Sequence, residues 1–269
     1  ITKTSQTVWV LGFSTSGIAD GNEVMTVVPA GATSIYDGAA NAASTSQSNN
    51  TATFNDKAGP TMTITAAEVS DGDTSNDGTL ALTFTSSEAT TNFIKDDIVV
   101  TGGSLGALSG SGTTYTATFT PTADGATTID VAGSAFTDAS GNDNTAATQF
   151  NWTFDSTLPT ISSVSLSAAN TALTVTFSEN VYDTTGGAGD LEAADFVVSK
   201  TGGTATVAAT PTGISKNSAS EWVLTLGITG TANGSEVITV NPAGATSIYD
   251  VAANAAATSQ SNNTATLTE

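Results

Sequence analysis

The chain has 269 residues with 25 acidic against 5 basic side chains, a formal net charge of -20 and a pI near 4.1. All the cations are lysines, and Arg, His and Cys are absent; that excludes soft-metal sites, thiolate nucleophiles, Ser-His-Asp triads and disulfides. So acidic a surface repels nucleic acid and anionic lipid, and no apolar run reaches the ~18 residues of a membrane span. Hydrophobic residues still make up 38% of the chain, in short alternating runs separated by Gly, Ser, Thr, Asn and Asp. That pattern predicts an all-β chain of many short strands rather than disorder.

Residues 1–56 align without gaps on 214–269, and 36 of the 56 positions are identical. PAGATSIYD occurs at 29–37 and 242–250, and TSQSNNTAT at 45–53 and 258–266. The segment corresponds to only the last strands of a module. A few strands with one face bare do not order alone, so the missing strands must come from elsewhere. Either the chain is a window on a longer array, or a neighbouring subunit adds strands to the sheet. Trp9, which the repeat pairs with Trp222, is expected in a core.

Strands are predicted next at 62–67, 79–85, 97–101, 104–108, 114–120, 127–131 and 148–154. Seven short strands with regular turns indicate a two-sheet sandwich. Alternation puts Leu80, Leu82 and Phe84 on the core face, with Tyr115, Phe119, Phe150, Trp152 and Phe154 adding bulk. Acidic turns at 71–78 resemble fragments of a calcium loop, but the spacing fails and a polar loop is expected. After a linker that repeats (FNDKAGPT at 54–61, FDSTLPT at 154–160), the pattern returns: LTFTSSE at 82–88 becomes LTVTFSE at 173–179, and DIVV at 97–100 becomes DFVV at 195–198. The expected organisation is a half module (1–56), a first type of module (57–157) and a second type (158–269).

Strand direction decides which loops share a pole. Alternating strands bring Glu88, Asp97, Asp138 and Asn142 to the end where the linker residue Asp56 enters. In the next module Glu179, Asp195, Asp250, Asn254 and the linker residue Asp155 repeat the arrangement. Carboxylates bunched on a chain with so few cations repel one another unless something neutralises them. Calcium does so with oxygen ligands and would stiffen each junction; the alternative is that these Asp and Asn residues are simply turn formers.

With LTFTSSE at 82–88, TDASGNDN at 137–144, the LPT linker at 158–160 and GTANGSEVITVNP at 230–242, the chain resembles bacterial immunoglobulin-like tandem repeats of large secreted adhesins and surface-layer-type proteins. The resemblance implies tandem immunoglobulin-like β-sandwiches in an elongated array, an extracellular or cell-surface location, and a structural or adhesive role as stalk, filament or surface-layer building block. It implies partners among further repeats of the same chain, neighbouring copies, and a cell surface or other matrix. It carries over no catalytic residue. A carboxylate pair such as Glu88 with Asp138 has the chemistry for glycoside cleavage, but its recurrence in each module argues for structure. A carbohydrate-binding accessory module is the alternative, and it requires tryptophans exposed in a row.

Overall fold

A computed structural model describes residues 1–269. Apart from two 3-10 turns, at Lys95–Asp97 and Ala193–Asp195, all regular structure is β. Between residues 62 and 154, two four-stranded sheets lie face to face. One has the order Met62–Ala66, Leu80–Thr90, Ser109–Pro121, Gly103–Leu105; the other runs Thr74–Ser75, Phe150–Phe154, Gly125–Val131, Ile98–Thr101. The inward face of Leu80–Thr90 is the predicted one, with Leu80, Leu82 and Phe84 almost wholly enclosed. They join Tyr115, Phe119, Ile129, Phe150 and Trp152 in one apolar core, as period-two alternation on facing sheets requires. Gly102, at φ +71°, turns the chain from one sheet to the other; side-chain-bearing residues rarely adopt that conformation.

The sandwich has eight strands rather than the expected seven. Thr74–Ser75, inside what was expected to be a plain polar loop, pairs parallel with Phe150–Phe154. Asp71 Oδ1 holds the loop in place by accepting the Asn151 N–H at 2.7 Å, and Ser75 Oγ accepts the indole N–H of Trp152 at 3.0 Å. Short polar side chains thus anchor the extra strand where no apolar pattern announced it.

Residues 161–267 form a second core that shares no residue with the first. Ile161–Leu166, Ala172–Phe177, Glu221–Thr225 and Gly213–Lys216 make one sheet; Phe196–Thr201, Val237–Pro242 and Thr264–Thr266 make the facing one. Trp222 is enclosed at its centre. The two sandwiches touch directly. Asn76 donates its backbone N–H to the Ala252 carbonyl and its side-chain amide to Asn254 Oδ1, both at 3.0 Å, and the Asn254 amide donates to the Asp155 carbonyl at 2.9 Å.

Residues 1–56 carry two ribbons, Thr2–Lys3 with Trp9–Val10 and Val24–Thr26 with Thr51–Thr53. The expectation for Trp9 fails here: it is 51% exposed, whereas Trp222 is 1% exposed. Burial is a property of what lies opposite: Trp9 has only the Lys3 ammonium over its ring, at 5.2 Å, whereas Trp222 also has Val175 as a strand partner.

Candidate metal centres at two junctions

Each acidic group is assembled by the same backbone device. Beyond the linker, Thr61 donates its N–H to Ser87 Oγ at 3.0 Å while the Ser87 N–H returns to the Thr61 carbonyl at 2.9 Å. Thr160 and Ser178 repeat the exchange at 3.0 and 2.8 Å. The linker is thereby zipped to the residue just before Glu88 or Glu179. On the other side, an isolated bridge between Thr90 and Asp138 ties the end of the glutamate strand to the loop bearing the third carboxylate, and Tyr182 with Tyr249 does so next to Asp250. Ser87, inside a strand, and Ser178, just beyond one, escape a reading for chemistry because serine there carries no periodic signal.

The result is two groups of three carboxylates, Asp56–Glu88–Asp138 and Asp155–Glu179–Asp250, each with ligand oxygens within 4.8 Å of one another. Asp138 and Asp250 are buried, and the other four are partly buried. Two oxygens bound to one calcium at 2.3–2.6 Å lie at most about 5 Å apart, so the spacing suits a hard cation. No cation of the protein balances either group: the single salt bridge, Lys216 with Asp190, lies elsewhere.

The aspartates are held in Asp-x-x-x-Asn turns. Asp138 Oδ1 accepts the N–H groups of Ser140 and Asn142 at 2.8 and 2.9 Å, and its Oδ2 accepts the Asn142 amide at 2.8 Å. Asp250 takes the backbone and side-chain N–H groups of Asn254, both at 2.8 Å. Residues 37–41 carry the same turn, with Asn41 donating to Asp37 at 2.8 and 2.9 Å, but no glutamate faces it. Asn142 and Asn254 therefore orient a carboxylate, and Asn254 Oδ1 is already committed to Asn76. Asp97 and Asp195 stand apart from both groups. Their Oδ2 atoms accept the N–H of Ile94 at 2.8 Å and of Glu192 at 2.7 Å, closing the 3-10 turns that precede the next strand.

The electrostatics match the geometry. Burial, and then repulsion from Asp250 and Asp155, pushes the Glu179 carboxyl up to about 7. Burial followed by the charges of Asp56, Asp138 and Asp20 raises Glu88 in the same direction. Asp250 is raised by burial and by Asp155 despite its bonds from Asn254. At Asp138 burial is outweighed by the donors Asn142, Ser140 and Gly141, and the carboxyl sits below its ordinary range. Glu88, Glu179 and Asp250 thus resist ionisation beside other carboxylates, a state that a divalent cation would relieve.

Trp152 and Trp222 are both buried, so no row of exposed tryptophans exists to stack on a sugar.

Residues 56–154 match the family described as Bacterial Ig-like domain. No curated protein is significantly similar to the chain. Among solved structures, the Escherichia coli adhesin FdeC is similar at 16% identity over 77% of this chain and 62% of its own, with a TM-score of 0.36. InvD of Yersinia pseudotuberculosis is similar at 17% identity over 78% of this chain and 57% of its own, TM-score 0.35. Invasin, a bacterial integrin-binding protein, is similar at 15% identity over 67% of this chain and 36% of its own, TM-score 0.33. The chain thus spans less than two thirds of each of these proteins.

Proposed function

We propose that this chain, whose residues 56–154 are a bacterial Ig-like domain, is a non-catalytic stretch of an extracellular stalk or surface layer, stiffened by calcium at its module junctions. Its working units are the half module 1–56 and the modules 57–157 and 158–269. The observation that carries the reading is the recurrence of one three-carboxylate group at successive junctions, each drawing one residue from a linker, one glutamate from the end of a strand or just beyond it, and one from an Asp-x-x-x-Asn turn. An ion shared by linker and loops would lock the angle between neighbours. Force or reach would then pass along the array without a flexible joint, which is what holding a binding tip away from a cell demands. Adhesive contact with a cell surface or matrix belongs to other parts of such an array, and further repeats are its nearest partners.

Calorimetry and small-angle scattering with 2 mM-range calcium or with a chelator test this. The expected result is a higher melting midpoint and a longer, narrower particle with calcium. An unchanged midpoint together with an unchanged maximum dimension overturns junctional calcium, leaving the acidic groups as turn chemistry.

A further inference from the structure

One turn recurs three times with a single chemical difference. Ala-Asp-Gly stands at 19–21 and 123–125, and Ala-Asn-Gly at 232–234. Each precedes or opens a strand paired with the last strand of its unit: Val24–Thr26 with Thr51–Thr53, Gly125–Val131 with Phe150–Phe154, and Val237–Pro242 with Thr264–Thr266. The first and third turns carry the same bonds. Asp20 Oδ1 accepts the Asn22 N–H at 3.0 Å, as Asn233 Oδ1 accepts the Ser235 N–H at 3.1 Å. The backbone N–H groups of Asp20 and Asn233 donate to Oε2 of Glu23 and Glu236 at 3.2 and 3.0 Å. Gly21 and Gly234 lie at φ +81° and +75°. The outer neighbour matches too. A methyl group on Gly21 would meet Asp56 Cβ at 3.2 Å, and one on Gly234 would meet Glu269 Cγ at 3.5 Å, Glu269 being the counterpart of Asp56 in the repeat. An aspartate therefore already fits this turn within the same chain.

Asn233 is the only one of 18 asparagines followed by glycine. With no Cβ in the way, the Gly234 nitrogen is open to approach the Asn233 side chain, and both residues are exposed. Neither the Gly234 N–H nor the Asn233 side-chain amide donates a hydrogen bond, so neither nucleophile nor leaving group is held back.

We propose that Asn233 is a site of spontaneous deamidation in the folded protein, which converts the third turn to the Ala-Asp-Gly form of the other two. The Gly234 nitrogen bonds to Asn233 Cγ, the Cγ–Nδ2 bond breaks, and ammonia leaves with the proton that the attacking nitrogen gives up. Solvent water then opens the cyclic imide, its hydroxyl going to one carbonyl carbon and its hydrogen to the nitrogen. Aspartate or isoaspartate results, according to which carbonyl is attacked. The consequence is visible at Asp124, whose Oδ1 accepts the Ser156 N–H and hydroxyl at 2.9 and 2.8 Å while its Oδ2 accepts the Thr157 hydroxyl at 2.6 Å. An amide offers one acceptor oxygen and a carboxylate two. Deamidation thus gives the turn at 232–234 the second acceptor with which the turn at 123–125 grips its linker.

The test keeps the 269-residue chain folded in warm, mildly alkaline buffer and follows it by timed peptide mapping, with isoaspartyl methyltransferase counting the isoaspartate. Asn233 should exchange its NH2 for OH ~10-fold or more faster than Asn217, which is equally exposed but followed by serine. The rate in the folded chain should lie within about tenfold of that in urea, because an exposed turn needs no global unfolding to react. Asn233→Asp should leave the urea midpoint of the second module unchanged. The proposal is overturned if the folded chain keeps Asn233 intact while the unfolded chain converts it, or if Asn217 converts as fast. An N233D protein that unfolds at clearly lower urea equally overturns it, because the turn would then reject the product.

Discussion

Replacing Glu179 by Gln separates the electrostatic cost of a junction from its benefit. The carboxyl is raised from 4.5 to about 7 in the folded protein, first by burial and then by Asp250 and Asp155. A folded-state value above the unfolded one means that the folded protein holds the proton more tightly, so stability falls as pH rises from about 4.5 through about 7. The full shift corresponds to roughly 3 kcal/mol at 1.36 kcal/mol per pH unit, and solvent screening of a half-buried side chain reduces this to about 1–2 kcal/mol. The amide carries no charge to bury and none to repel. E179Q should therefore be the more stable protein at pH 8 in chelator, by about 5–10 °C in the melting of the second module. That advantage should vanish below about pH 4.5, where the parent is protonated at this position both folded and unfolded, and should shrink or invert at pH 8 once calcium is added, because the variant has lost a ligand. Differential scanning calorimetry across this grid of pH and calcium reads all three comparisons. An E179Q protein no more stable than the parent at pH 8 without calcium, or one stabilised by calcium as fully as the parent, refutes the reasoning.

Glu88→Gln should act in the same direction at the first junction with a smaller amplitude, read from the same calorimetric traces. Asn254→Ala removes the clamp on Asp250 together with the contacts to Asn76 and Asp155; a loss of about 1–3 kcal/mol in urea unfolding and faster exchange of the Asn76 amide are expected. Gly59→Ala would drive a methyl group into the Asp143 carbonyl oxygen, so the linker must shift at a cost of about 1–3 kcal/mol, measured from the urea midpoint. Glu236, held down to about 2 by the N–H groups of Ala205, Asn233 and Thr204, stabilises the second module above about pH 4.5 and loses that effect as pH falls toward 2. Glu236→Ala should flatten this acid limb of the stability profile, and an unaltered limb would contradict its role.

The alternation of Leu80, Leu82 and Phe84 was enough to identify a core face, because in a strand the side-chain period depends only on the backbone. Repetition of linker, glutamate strand and Asp-x-x-x-Asn turn was likewise visible in the residues, and alternating strand direction then brings Asp56, Glu88 and Asp138 to one end. Local hydrogen bonding is less legible. The 3-10 caps at Asp97 and Asp195 use the same residue type that a metal site would, and only coordinates separate a carboxylate turned back on its own loop from one turned toward its neighbours. The short Thr74–Ser75 strand was hidden for a related reason: it is held by Asp71 and Trp152 across 80 residues or so of chain, with no apolar pattern of its own.

From the residues alone came the sheet-forming class, the internal copies and the acidic character, since each follows from composition or from a period inside a single segment. Which surfaces are covered could come only from the folded arrangement. Trp9 and Trp222 share a Trp-Val-Leu triplet and the same strand register, yet one is bare and the other enclosed. A side chain's burial is set by a partner strand that its own sequence does not contain.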